Sequence, residues 1–103
     1  MRRAASVPLY QAKAEFFRTL GHPARIRILE LLSERDYAVH ELLAEIAIEA
    51  SNLSQQLAVL RRTRLVTSRR HGGNVVYSIS VAEVRDLLQA ARSILTGLDP
   101  SLA

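Results

Sequence analysis

An α+β fold that is mostly helical, with four helices, a β-hairpin and a closing helix, is predicted by this 103-residue chain. Three observations carry that reading. Apolar residues recur at helical spacing along both halves of the chain. Two β-prone runs, 65–70 and 75–79, flank the turn-forming His71-Gly72-Gly73-Asn74. Between them and the first half lie two short helical segments parted only by Ala47-Ile48-Glu49, a tight helix-turn-helix. Together these describe a winged helix-turn-helix in one domain over residues 1–103, with residues 1–7 as a flexible N-terminal arm.

Pro8 suits the first turn of a helix, and Leu9, Ala12, Phe16 and Leu20 follow at helical spacing. Gly21-His22-Pro23 breaks that helix and starts a second, in which Ile26, Leu29 and Leu32 form the apolar stripe. A third helix is expected over Val39 to Ile46, and a fourth over Ala50 to Arg62. At about 100° per residue, Leu57 and Leu60 fall on the side of Leu53, while Ser51, Gln55, Ala58 and Arg62 point the opposite way. One face packs and the other presents short polar groups. Ser80-Val81-Ala82-Glu83 reads as a capping box opening the last helix, which ends near Gly97.

The apolar stripe of that last helix, Val84, Leu87, Leu88, Ala91, Ile94, Leu95 and Leu98, is wider than so small a domain hides. Part of it is therefore assigned to a homodimer interface, with Leu9 and Phe16 of the first helix alongside. Burial wholly within one subunit is the other reading of the same stripe.

Charge is segregated along the chain. Residues 1–27 carry six bases and one acid, 28–49 one base and six acids, and 50–80 five bases and no acid. An acid-free basic segment that contains the polar helix favours a polyanion partner, against the alternative of an unused basic surface. Three scattered histidines, no cysteine and no phosphate-binding glycine loop argue against an enzyme. The absence of cysteine also excludes disulfides and thiolate metal sites. Neither a membrane-spanning run nor a secretory signal is evident, so a cytoplasmic protein without a membrane partner is expected.

The run from Phe17 to Leu32, with Gly21-His22-Pro23-Ala24-Arg25 at its centre, resembles the ArsR/SmtB family of winged-helix repressors. Ser51-Asn52-Leu53-Ser54-Gln55-Gln56-Leu57, Leu65-Val66 and the glycine hairpin before Val76-Tyr77 are similar to the rest of that pattern, over residues 9–96. The resemblance implies a homodimer joined through the first and last helices. It further implies recognition helices in successive major grooves of a double-stranded DNA operator and wings along flanking backbone or minor groove. An effector, often a metal ion in the family, would shift the dimer to a form that binds DNA worse.

By the same resemblance, Ser51, Ser54 and Gln55 are the expected readers, with Asn52 nearby. Gln56 is divided between DNA contact and a packing or capping role. Arg62 in the helix and Arg69, Arg70 and His71 in the wing are expected on phosphate or in the minor groove. Ala47 and Glu49 stand where the family commonly has Gly and Ser, and a carboxylate there repels phosphate. The family's metal-ligand positions correspond to Ala38 and His40, and to Val81, Glu83, Ile94 and Gly97. Too few of these can coordinate, so no cofactor is expected, and a transition metal such as nickel or zinc would need ligands from elsewhere. The other function class carried forward is a winged-helix protein-interaction module without DNA binding.

Overall fold

Pro8 and Pro23 each stand where a helix begins, because a residue without an N–H loses nothing in a first turn. Helix α1 (Leu9–Leu20) follows Pro8, which acts as its N-cap. Helix α2 (Pro23–Glu34) starts on Pro23 itself, with His22 Nδ1 accepting from the Ala24 N–H at 3.2 Å. The computed structural model describes residues 7–102. Apart from Val7, the arm expected over residues 1–7 lies outside the described residues.

The element order continues through β1 (Tyr37–Ala38), α3 (Val39–Glu45), α4 (Ala50–Arg62), β2 (Val66–His71), β3 (Asn74–Ile79) and α5 (Glu83–Leu98). The five helices and the hairpin match the sequence reading, and α4 keeps its expected bounds. Strand β1 was not foreseen. Its two residues carry no alternation to detect, yet Tyr37 pairs with Tyr77 and Ala38 with Val76, giving an antiparallel sheet of order β1-β3-β2.

The core is built around α2, whose Ile28, Leu29 and Leu32 are fully buried. Leu42 of α3, Leu53, Leu57 and Leu60 of α4, Tyr77 of β3 and Val84 of α5 close over them. Helix α4 terminates with Arg64 at φ 65°, a left-handed position more often held by glycine, and the Leu65 N–H returns to the Leu60 carbonyl at 3.0 Å.

The capping box expected at the start of α5 is not formed. Ser80 sits at the end of β3, where its N–H donates to the Leu65 carbonyl (3.0 Å) and its Oγ to the Arg64 carbonyl (2.6 Å). That hydroxyl is committed to the exit of α4 and is out of reach of α5, whose N-cap is Ala82. Glu83 becomes the first helical residue, a favourable site for a carboxylate beside the helix dipole.

The expected interface stripe divides into two. Val84 is 2% exposed within its own subunit, so its assignment to the dimer interface is corrected: it is a core residue. Phe16, Leu87 and Leu88 are half-buried against the same core. Leu9, Ala91, Ile94 and Leu95 remain exposed, together with Tyr10, Phe17 and Leu98. The apolar ends of α1 and α5 thus project from the domain, whose extents are 48 × 43 × 23 Å.

Candidate nucleic-acid interface

Helix α4 presents the face that its periodicity dictates. Leu53, Leu57 and Leu60 are buried, while Ser51, Ser54, Gln55, Ala58 and Arg62 are exposed. Among the described residues, none engages the side chains of Ser51, Ser54 or Gln55, which leaves their donors and acceptors available to a base edge. Arg61 and Arg62 occupy the last turn, where cations also suit the helix dipole. No side chain caps the N-terminus of α4 at Glu49, and no acid lies in its first turn.

Gln56 departs from the DNA-contact assignment. It is 8% exposed, with Oε1 accepting from Arg25 Nε and Nε2 donating to Asn52 Oδ1, both at 2.8 Å. An amide this far from the exposed face satisfies itself inside the protein, because burying it unpaired would be costly. Gln56 is therefore a packing and bonding residue. Asn52 is half-buried, on the flank of the polar face.

The wing is a hairpin whose strands pair from Val66↔Ile79 to His71↔Asn74, leaving Gly72 and Gly73 as its loop. Their φ values of 57° and 86° are those of a primed two-residue turn, which only glycine-like residues enter without strain. Arg70 and His71 are exposed beside this tip. Arg69 is exposed as well, but its guanidinium is directed back across the sheet: Nη1 donates to Ser78 Oγ at 2.9 Å and lies 3.1 Å from Asp36 Oδ2. Its expected DNA contact would have to compete with these two partners. The unforeseen strand β1 explains the difference, since pairing Tyr37 with Tyr77 brings the preceding Asp36 to Arg69.

His22 and Glu41, both of a type that can ligate metal, have local partners instead. His22 Nδ1 caps α2, and Glu41 Oε1 accepts from the Ala38 N–H at 2.8 Å and lies 3.4 Å from Arg35. The backbone bond from Ala38 and, to a lesser degree, the Arg35 charge hold the Glu41 carboxyl below the usual carboxylate range. Among the described residues, no group of three or more His, Cys, Asp or Glu gathers at metal-binding distance. Arg25 and Asp36 are structurally engaged residues that sequence reasoning missed. Their partners are distant in sequence, so spacing carries no signal for either.

Comparison with known proteins agrees with this geometry. Residues 22–68 match the family model described as "Bacterial regulatory protein, arsR family". An uncharacterized HTH-type transcriptional regulator of Mycobacterium tuberculosis (H37Rv), Rv0081, is 58% identical over 91 residues, covering 87% of this chain and 80% of that protein. The Rv0081 crystal structure superposes with a TM-score of 0.82 at 55% identity, over 95% of this chain and all (100%) of that one. A transcriptional repressor SmtB homolog of Synechocystis is 40% identical over 77 residues, covering 75% of this chain and 58% of the relative. The homodimeric winged helix-turn-helix DNA-binding domain Mb0332 of Mycobacterium bovis, at 24% identity and TM-score 0.76 over 94% of each chain, shares the fold. No described helix is long and apolar enough to cross a membrane. With its polar α4 face, its glycine-tipped basic wing and these relatives, the chain belongs to the arsR family of bacterial regulatory proteins and is a DNA-binding transcriptional regulator.

Proposed function

We propose that the chain works in the cytoplasm as a homodimer that binds a roughly palindromic operator through paired α4 helices and represses transcription. The observation that carries this reading is the division of the surface. One side offers Ser51, Ser54 and Gln55 beside Arg62, Arg70 and His71; another offers uncovered apolar residues of α1 and α5.

Several facts support pairing through α1 and α5. Leu9, Tyr10, Ile94, Leu95 and Leu98 are each more than half exposed, from 51% to 79%. Such side chains are normally withdrawn from water by a partner surface. The radius of gyration, 15.5 Å, exceeds the roughly 13 Å of a compact domain of this length. Dimerisation would place two α4 helices one DNA turn apart, about 34–36 Å, and so set the half-site spacing.

In this reading Gln55 is the base reader, Ser51 and Ser54 contact bases or phosphates, and Arg62, Arg70 and His71 hold the backbone. Repression follows the Synechocystis relative named a repressor. No bound cofactor is part of the proposal. An effector that releases the operator must bind the DNA-free form more tightly, by the factor by which it weakens DNA binding.

The test is selection of genomic fragments by the purified protein, followed by a salt titration of the best duplex and sedimentation of free and bound protein. A specific complex of two chains per site, with affinity falling steeply with salt, is expected. A monomer on DNA, or binding indifferent to salt, contradicts the proposal. Titrating the complex with divalent metals should leave it intact, and release by nickel or zinc would overturn the cofactor-free part of the reading.

A further inference from the structure

Arg25, Gln56 and Asn52 form a hydrogen-bonded chain with only one possible polarity. Arg25 Nε faces Gln56 at 2.8 Å, and its Nη1 donates to the Thr19 carbonyl at 3.1 Å. A guanidinium has donors and no acceptor, so the Gln56 atom facing it must be Oε1. The other end of that amide, Nε2, then points along α4 to Asn52. An amide nitrogen donates only, so the Asn52 atom that meets it at 2.8 Å must be Oδ1. The orientation of both amides is thus imposed by the guanidinium that heads the relay.

The consequence reaches the DNA-facing surface. Asn52 lies about 60° around α4 from Gln55, at the edge of the exposed polar face. Its oxygen is turned inward to accept from Gln56, so the free end of the amide is Nδ2, to which the described residues offer no acceptor. We infer that Arg25, acting through Gln56, is a positioning residue for specificity that turns the donor end of Asn52 toward DNA. Asn52 then contacts an acceptor, either a phosphate oxygen or a base atom such as a purine N7. The paired donor and acceptor contact that asparagine can make with adenine would need the same oxygen to face outward, which the bond from Gln56 opposes. This rests on the proposal that α4 enters the major groove.

Gln56→Glu tests the relay in the full-length protein on its selected operator. Glutamate keeps an acceptor toward Arg25 but turns a second acceptor toward Asn52, whose amide must rotate, Nδ2 inward and Oδ1 outward. Binding should weaken roughly five- to tenfold, the value of one good hydrogen bond. The same change made in an Asn52→Ala background should alter affinity less than about twofold, within the usual error of additivity. The added charge is common to both backgrounds, so the difference isolates Asn52. A loss equal on all duplexes identifies phosphate as the acceptor, and a loss confined to one base pair identifies a base; either supports the inference. Equal losses with and without Asn52 overturn it.

A second measurement needs no variant. In the free wild-type protein, NMR should detect a through-hydrogen-bond coupling from Gln56 Nε2 to the Asn52 side-chain carbonyl carbon. The reverse coupling, from Asn52 Nδ2 to the Gln56 carbonyl carbon, or no coupling at all, refutes the stated polarity. If the wild-type protein showed no preference among duplexes, the groove-reading proposal would fail while this arm still judged the amides.

Discussion

Arg69 lies 3.1 Å from the Asp36 carboxylate across the small sheet, and both side chains are about half exposed, at 53% and 46%. An ion pair so open to water is worth only about 0–1 kcal/mol. A phosphate can therefore compete for Arg69, but the competition subtracts from DNA affinity. Asp36→Asn should strengthen binding on every duplex, by up to about fivefold per protomer, and steepen the dependence on salt. Fluorescence anisotropy over a salt series measures both quantities. The gain should vanish in an Arg69→Ala background, and a gain that persists there would show that Asp36 acts by its charge alone. Arg70→Ala should flatten the salt slope by about one unit for each phosphate contact removed, and more than Arg69→Ala does.

Gln55 is exposed on α4 with no protein partner among the described residues. If it pairs with a base in two hydrogen bonds, Gln55→Ala should cost about 1–3 kcal/mol of specific binding and little of non-specific binding. Competition between the selected operator and random duplex measures the difference. Equal losses on both would remove Gln55 from base reading.

Val84 and Ile94 share a helix but should fail differently when changed. Val84 is 2% exposed and Ile94 is 62% exposed. Val84→Ala should lower the stability of the fold by roughly 1.5–3 kcal/mol while leaving the assembly state unchanged. Ile94→Lys, made together with Leu95→Lys, should leave a folded monomer whose DNA affinity collapses. Sedimentation and chemical denaturation separate the two outcomes. A doubly substituted protein that stayed dimeric would place the interface elsewhere.

Glu41 provides a pH test. Its carboxyl titrates below the usual value of 4.5 because the ionised form accepts from the Ala38 N–H. A depressed carboxylate contributes stability above the unfolded-state pKa and loses it as pH falls through the folded-state pKa. The stability advantage of the wild type over Glu41→Gln should thus be constant near neutrality and shrink below about pH 4.5, the ordinary carboxylate value. Urea denaturation between neutral and acid pH reads it, and a difference that did not change with pH would show that the neutral amide serves equally well.

The helices and the wing were legible because each rests on a local signal. The three- and four-residue steps of Leu53, Leu57 and Leu60 give α4, and the two consecutive glycines at 72–73 give the hairpin turn. What stayed hidden depends on contacts distant in sequence. Strand β1 exists only because Tyr37 meets Tyr77, and Arg69 is diverted only because β1 delivers Asp36. Ser80 had the right spacing to cap α5, yet its hydroxyl is turned toward the Arg64 carbonyl, sixteen residues earlier, and α5 starts after Ala82 instead. Likewise, periodicity placed Gln56 toward the core side of α4 but carried no sign of Arg25, its partner thirty-one residues away. The site was therefore readable as a list of polar positions, and its internal wiring was not.

The corner where Ser80 grips both Arg64 and Leu65 has a mechanical meaning. It ties the tail of the hairpin to the end of α4 through two hydrogen bonds, which join the two as one head. In the proposed dimer, one adjustment left is the tilt between two such heads. Tilt, levered through a body 48 Å long, would shift one head relative to a groove that recurs about every 34 Å. In the proposed dimer, a signal that changed this angle would release the operator.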